Sequence, residues 1–150
     1  MEIKELKKKT GIIRNDKLNR AYAQFEKLLD ELKKKELTDE IVSYINSNIE
    51  QVNSASDDKT IKQIKEAQSK ILKLIEKELK LVTKNHYRNT WLAVGMAAFG
   101  IPLGVVFGTS FGNMAFLGIG LPIGMAIGIA VGTGMDKKAL EEGRQLDIEI

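Results

Sequence analysis

The sequence predicts an all-α integral membrane protein: cytosolic amphipathic helices followed by a two-span helical hairpin built on glycine. Three observations carry this expectation. Apolar residues recur at steps of three and four through residues 17–83. Residues 89–135 form a run of 47 without a single Asp, Glu, Lys or Arg. Within that run the pattern G-x-P-x-G-x-x-x-G-x-x-x-G is written twice, at 100–112 and at 120–132.

Residues 1–16 read as a basic N-terminal tail. MEIKELKKKT carries charge with no apolar stretch behind it, so it lacks the form of a secretory signal. Residues 17–88 read as a cytosolic helical bundle or coiled-coil region. Leu18, Tyr22, Phe25, Leu29 and Leu32 keep to one stripe of a first helix. Ile41, Ile45, Ile49 and Val52 do so in a second, with Thr38 as its start signal and Asp39 and Glu40 complementing the dipole of its first turn. Ile61, Ile64, Ile71, Leu72, Ile75, Leu79 and Val82 mark a third, started by Ser56, Asp57 and Asp58. Gln68 falls on this last stripe and reads as its partly exposed edge. No Gly or Pro occurs between Ile61 and Trp91, so the third helix is expected to run unbroken into the apolar segment, with a bend near 85–89.

Residues 89–135 are long enough for two bilayer crossings of about 20 residues and a short turn. A buried hairpin in a soluble protein would need the remaining residues to cover it, and they are too charged to do so. Tyr87, Arg88 and Trp91 are interfacial anchors, since aromatic rings and Arg favour the headgroup boundary. His86, the one histidine, reads as interfacial too. Lys84 and Arg88 precede the first span, and Lys137, Lys138 and Arg144 follow the second, whereas the turn at 113–117 is uncharged. The positive-inside rule then places both termini in the cytoplasm, with residues 136–150 as a charged C-terminal tail.

Helices in lipid associate through close packing, which small residues permit. A step of four turns a helix by about 400°, so glycines at that interval form one smooth groove. Folding the chain at Phe116 sets Gly100 opposite Gly132, Gly104 opposite Gly128, Gly108 opposite Gly124 and Gly112 opposite Gly120. Gly118, Ala126, Ala130 and Gly134 form a second small stripe on the far side of the second span. The spacing leaves open which face closes the hairpin. If the ladder does, the second stripe is the contact between chains. Pro102 and Pro122, two residues into their ladders, predict a bend in each span.

The residues FGNMAFLGIGLPIGMAIGIAVGTGMDKKALEEGRQL (111–146) resemble those of bacterial glycine-zipper membrane proteins, small chains with paired glycine-rich spans and a charged tail. The resemblance covers about the last sixty residues and implies a bacterial inner-membrane hairpin that multimerises. It also brings in pore-forming and membrane-permeabilising roles. Such a homo-oligomer, surrounded by lipid, is the first functional expectation. The span polar residues, Thr109, Ser110, Asn113 and Thr133, cluster toward the ends, which weakens a pore without weakening an assembly. The second expectation is a scaffold or tether whose cytosolic helices recruit a protein partner, favoured by incompletely buried stripes and disfavoured by a closed bundle. An enzyme is not expected: no nucleophile–histidine pair, carboxylate pair, metal-ligand cluster or cofactor motif is legible, and cysteine is absent. Nucleic acid is not expected either. The 23 Lys and Arg are interleaved with 20 Asp and Glu along helical faces, as on a solvated surface.

Overall fold

The computed structural model describes residues 2–7, 16–56 and 59–150. Among the described residues the regular structure is helical apart from one pair of two-residue strands. Helices α1 (Asp16–Lys33), α2 (Asp39–Ser54) and α3 (Thr60–Leu79) come first, followed by β1 (Val82–Thr83). Then come α4 (His86–Gly95), a π turn (Met96–Gly100), α5 (Ile101–Ser110), a 3-10 turn (Met114–Phe116), α6 (Leu117–Glu141) and β2 (Gln145–Leu146). The two strands pair with each other. The chain divides into two compact units. The first runs up to Val82 and takes in Leu146–Ile148 and Ile150, and the second spans Thr83–Gln145 with Glu149.

In the first unit the expected stripes become one core. Tyr22, Phe25, Leu28, Leu29 and Leu32 of α1 meet Ile41, Ile45, Ile49 and Val52 of α2 and Ile64, Ile71 and Ile75 of α3. Helix α2 starts at Asp39 as expected; Thr38 has extended backbone, but its hydroxyl makes no capping bond. The start signals Asp57 and Asp58 lie outside the described residues. Gln68 is not a stripe edge: it is 4% exposed, and its Nε2 has no hydrogen-bond partner. With α3 packed against both α1 and α2, the position faces inward on a surface that has no free edge.

Three boundary expectations are corrected. Helix α3 does not continue into the apolar segment. It ends at Leu79, where Lys80 adopts a left-handed conformation (φ 55°) and its N–H and that of Leu81 return to Glu76 O and Ile75 O. A left-handed lysine costs about 1–2 kcal/mol, and burial of Leu81 and Val82 in the unit offsets it. Tertiary packing thus ends a helix that carries no breaker. Residues 2–7 are not a free tail either; they lie extended along α2, with Ile3 and Leu6 against the core. Residues 136–150 are likewise not a tail. Helix α6 runs on to Glu141, and Leu146 and Ile148, both buried, belong to the first unit's core. Asp147 N–H donates to Glu31 Oε2 of α1 at 3.1 Å. The ammonium of Lys34 and this backbone N–H together hold the Glu31 carboxyl below its usual range.

Candidate functional site: a glycine-lined helical hairpin

Helix α4, the π turn and α5 form one continuous helix of 25 residues, His86–Ser110, and Met114–Glu141 forms another of 28. At 1.5 Å per residue these span about 37 and 42 Å, enough for a hydrocarbon core of about 30 Å. Between His86 and Met135 every buried residue is a glycine: Gly95, Gly100, Gly104, Gly108, Gly120, Gly124, Gly128 and Gly132. The bulky side chains point away instead. Phe99, Ile101, Val105, Val106, Ile119 and Val131 are each more than two-fifths exposed. This is the reverse of a water-soluble core, where large apolar groups go inside.

The glycines face backbone. A Cβ on Gly128 would stand 2.1 Å from Trp91 O, and one on Gly132 would stand 2.5 Å from Arg88 Cα and Tyr87 O. On Gly124 it would meet Gly100 N and Gly95 O at 2.5 Å, and on Gly120 it would meet Gly100 O at 2.2 Å and Gly104 N at 2.3 Å. No side chain fits at these contacts without moving a helix.

The register differs from the expected one. Gly104 faces Gly120 rather than Gly128, and Gly100 faces Gly120 and Gly124 rather than Gly132. Gly108 meets Met114 rather than Gly124. The cause is Gly112. It is no rung of the ladder but the residue that ends α5, with φ 62° and open space where a Cβ would be. Its N–H donates to Thr109 O, and the next N–H, of Asn113, reaches back to Gly108 O. A left-handed glycine with these back-bonds is a common way to end a helix. The side chain of Asn113 then accepts from Ala115 N–H at 2.9 Å and starts the 3-10 turn. The chain therefore reverses before Phe116, and every pairing slides along.

The slide leaves the first helix short of one glycine, and Gly95 supplies it. Gly95 lies five residues before Gly100, a step that would leave the stripe of a regular α-helix. The π turn between them takes up the extra residue, with Ile101 N–H bonded to Met96 O five positions back. It immediately precedes α5, whose second residue, Pro102, has no N–H to bond back into the widened turn. Pro122 instead sits inside the continuous helix α6. The two matching motifs are thus built differently: the first passes through a π turn, and the second keeps the α-helical path although Pro122 has no N–H to donate.

One charged group closes the open end of the hairpin. Asp136, 7% exposed, accepts Tyr87 N–H at Oδ1 (3.0 Å) and Arg88 N–H at Oδ2 (2.9 Å). These N–H groups belong to the first turn of α4, which has no capping side chain of its own; Asn85 before it is left-handed. A carboxylate there satisfies two free donors and complements the positive end of the helix dipole. Sequence reading assigned Asp136 to the tail. The signal was present: Asp136 follows Gly132 by four and so continues the ladder.

Tyr87, Arg88 and Trp91, expected as interfacial anchors, sit in the first two turns of α4 with their backbone against Gly132 and Gly128. The rings of Tyr87 and His86 meet edge to face at 5.1 Å. Gly118, Ala126, Ala130 and Gly134 are exposed, and nothing lies within 4 Å of a Cβ position at either glycine. These features define an all-helical protein with two helices long and apolar enough to cross a membrane. No known protein family, curated protein or solved structure matches the chain.

Proposed function

We propose that this chain is an integral membrane protein whose two-span hairpin, closed by a glycine zipper, associates with further copies of itself and carries a cytosolic helical unit. The observation that carries the reading is the inverted burial of the hairpin. Glycines alone are inside, and Val, Ile, Leu, Phe and Met face outward, an arrangement that water penalises and lipid favours. Only 22% and 17% of the most apolar windows of the two helices are buried, far from what a core helix of a soluble protein shows.

The chain path supports a common side for both flanks. Residues before β1 and residues 146–148 belong to one compact unit, which favours a single compartment for both. Lys84, Arg88, Lys137, Lys138 and Arg144 beside the spans favour the cytoplasm, and the resemblance to bacterial glycine-zipper proteins favours an inner membrane. Self-association is supported by the second small face of α6. The ladder is used up within the hairpin, while Gly118, Ala126, Ala130 and Gly134 remain open for another helix to approach closely. Thr109, Ser110 and Asn113 stand at the turn and Thr133 toward the other end. The middle of the spans thus offers no polar lining, and the assembly is read as non-conducting. With residues 2–7 in place the apolar stripes of α1–α3 form a closed core, which disfavours recruitment of a partner through them.

The test is native mass in lipid nanodiscs. The wild type should appear as a multiple of the 16.7 kDa chain. Ala126→Ile should reduce it to a helical, inserted monomer, whereas Gly128→Ile should disturb the fold of the hairpin itself. A wild type that is monomeric in every lipid sinks the self-association. Dissociation by Gly128→Ile with Ala126→Ile intact would reverse the roles of the two faces.

A further inference from the structure

The N-terminal segment is gripped along its backbone by side-chain amides of α2. Helices α1 and α2 both pack closely on α3, while their own backbones stand farther apart and share the core through side chains. Residues 2–7 fill the seam between them. Lys4, Glu5 and Leu6 border a hollow with Glu26, Leu29, Asp30 and Lys33 of α1, and the opposite side of the segment is bonded to α2.

Those bonds follow a repeat. Asn46 Nδ2 donates to Glu2 O at 2.9 Å, and its Oδ1 accepts from Lys4 N–H at 2.7 Å. Asn53 Nδ2 donates to Glu5 O at 3.4 Å, and its Oδ1 accepts from Lys7 N–H at 2.9 Å. Each amide therefore brackets one residue, and the bracketed residues are Ile3 and Leu6, the two that pack on the core. Seven residues of helix advance about 10.5 Å, and one three-residue turn of polyproline II-like chain advances about 9 Å. Asn46 and Asn53 thus repeat at close to the period at which such a chain turns an equivalent N–H, C=O and side chain to the same face, whereas a β-strand would do so every two residues. Between them Glu50 pairs with the ammonium of Lys4.

Amide side chains that hold only backbone groups do not depend on which residues they hold. Specificity then comes from the side-chain positions, as in other strand-recognising surfaces. Here those positions ask for apolar residues three apart, with a cation directly after the first. The attachment is also light: four hydrogen bonds, one exposed ion pair and two partly buried side chains. Such a segment can open without unfolding the helices beneath it.

We propose that the α1–α2 seam is a groove for an extended peptide, that residues 2–7 are its resident occupant, and that it also takes the same segment from a second copy of the chain. Exchange of this kind joins copies through their soluble units and does not require association of the spans.

The test has two arms. A fluorescent, end-blocked peptide of residues 2–7 is titrated against the full chain and against a variant lacking residues 1–7, both in nanodiscs. The truncated variant should bind it, and the full chain at least about tenfold more weakly, because a tethered occupant competes at roughly millimolar effective concentration. Asn46→Asp or Asn53→Asp should weaken binding to the truncated variant by about tenfold, since each sets an acceptor against a peptide carbonyl. A peptide with serine in place of Ile3 and Leu6 should not bind. If truncation unfolds the unit, the full chain with Ile3→Glu and Leu6→Glu replaces it. In the second arm, copies with Lys4→Cys are mixed with copies with Glu50→Cys and treated with a short bismaleimide. Cross-linked pairs are expected. The groove is refuted if a folded, emptied chain fails to bind the peptide, or binds the serine version equally well. Peptide binding without cross-linked pairs would overturn the second-copy assignment and give the groove to a segment of another protein.

Discussion

Asp136 does for α4 what a capping residue normally does from the helix's own sequence. It reaches the first turn from 49 positions beyond Tyr87, on another helix, and both of its oxygens are engaged. Removing it leaves two N–H groups without their partner. Asp136→Ala should therefore destabilise the hairpin by about 1–2 kcal/mol, the range for a lost helix cap. Asp136→Asn should lose less, because one oxygen still accepts while the charge is gone. Thermal unfolding in detergent, compared with Lys137→Ala as a surface control, checks this order. Glu31 yields a prediction with a definite sign. Its carboxyl is held below the ordinary range by the Lys34 ammonium and by the N–H of Asp147. A depressed carboxylate stabilises the fold above its unfolded value, near pH 4.3, and that contribution is lost as pH falls through the lowered folded value. Stability against pH should thus drop more steeply below about pH 4 in the wild type than in Glu31→Gln. Equal slopes would remove Asp147 and Lys34 as the cause.

At the scale of the element, glycines in one helix have opposite roles according to face. Gly128→Ala would drive a methyl group into Trp91 O, so it should destabilise the hairpin by about 1–3 kcal/mol, as overpacking does. Gly134→Ala meets nothing within 4 Å and should stabilise the helix of the monomer by up to about 1 kcal/mol through propensity. Unfolding measured in a detergent that keeps the chain monomeric separates the two, and equal effects would contradict the packing. Much of this was legible beforehand. The ladder residues Gly120, Gly124, Gly128 and Gly132 were named, and all are buried. The stripes of α1–α3 were named as well, because a single surface buried by periodicity leaves its trace in every turn. Register was not legible. It depends on where the chain reverses, and Gly112 keeps the four-residue step while performing a different task. Gly95 was missed for the complementary reason: its step of five belongs to the stripe only once the helix widens. The stop after Leu79 was hidden because it is imposed by burial of Leu81 and Val82, which a local search for Gly or Pro does not register.

At the scale of the whole molecule, the apolar hairpin is an insertion between two parts of one unit. Leu146 and Ile148 are 0% and 2% exposed within a core otherwise built from residues before β1. Burial of two such side chains contributes roughly 3–6 kcal/mol, a sizeable share of what stabilises a small domain. Deleting residues 146–150 should accordingly lower the denaturation midpoint of the N-terminal unit sharply, although the cut lies more than sixty residues beyond it in the sequence. Proteolysis within α1–α3, followed with and without the deletion, reads this directly, and unchanged protection would mean that the core closes without them. The same insertion bears on biogenesis. Domains generally fold as they emerge from the ribosome, the N-terminal one first. Here the first unit to be translated is the last to be finished, since its core waits for Leu146 and Ile148. Until both apolar helices have been made, that core lacks the two side chains. On the membrane reading proposed above, completion of this unit would serve as a check on delivery: only a chain whose second helix returned to the side it started from would close the fold that began it.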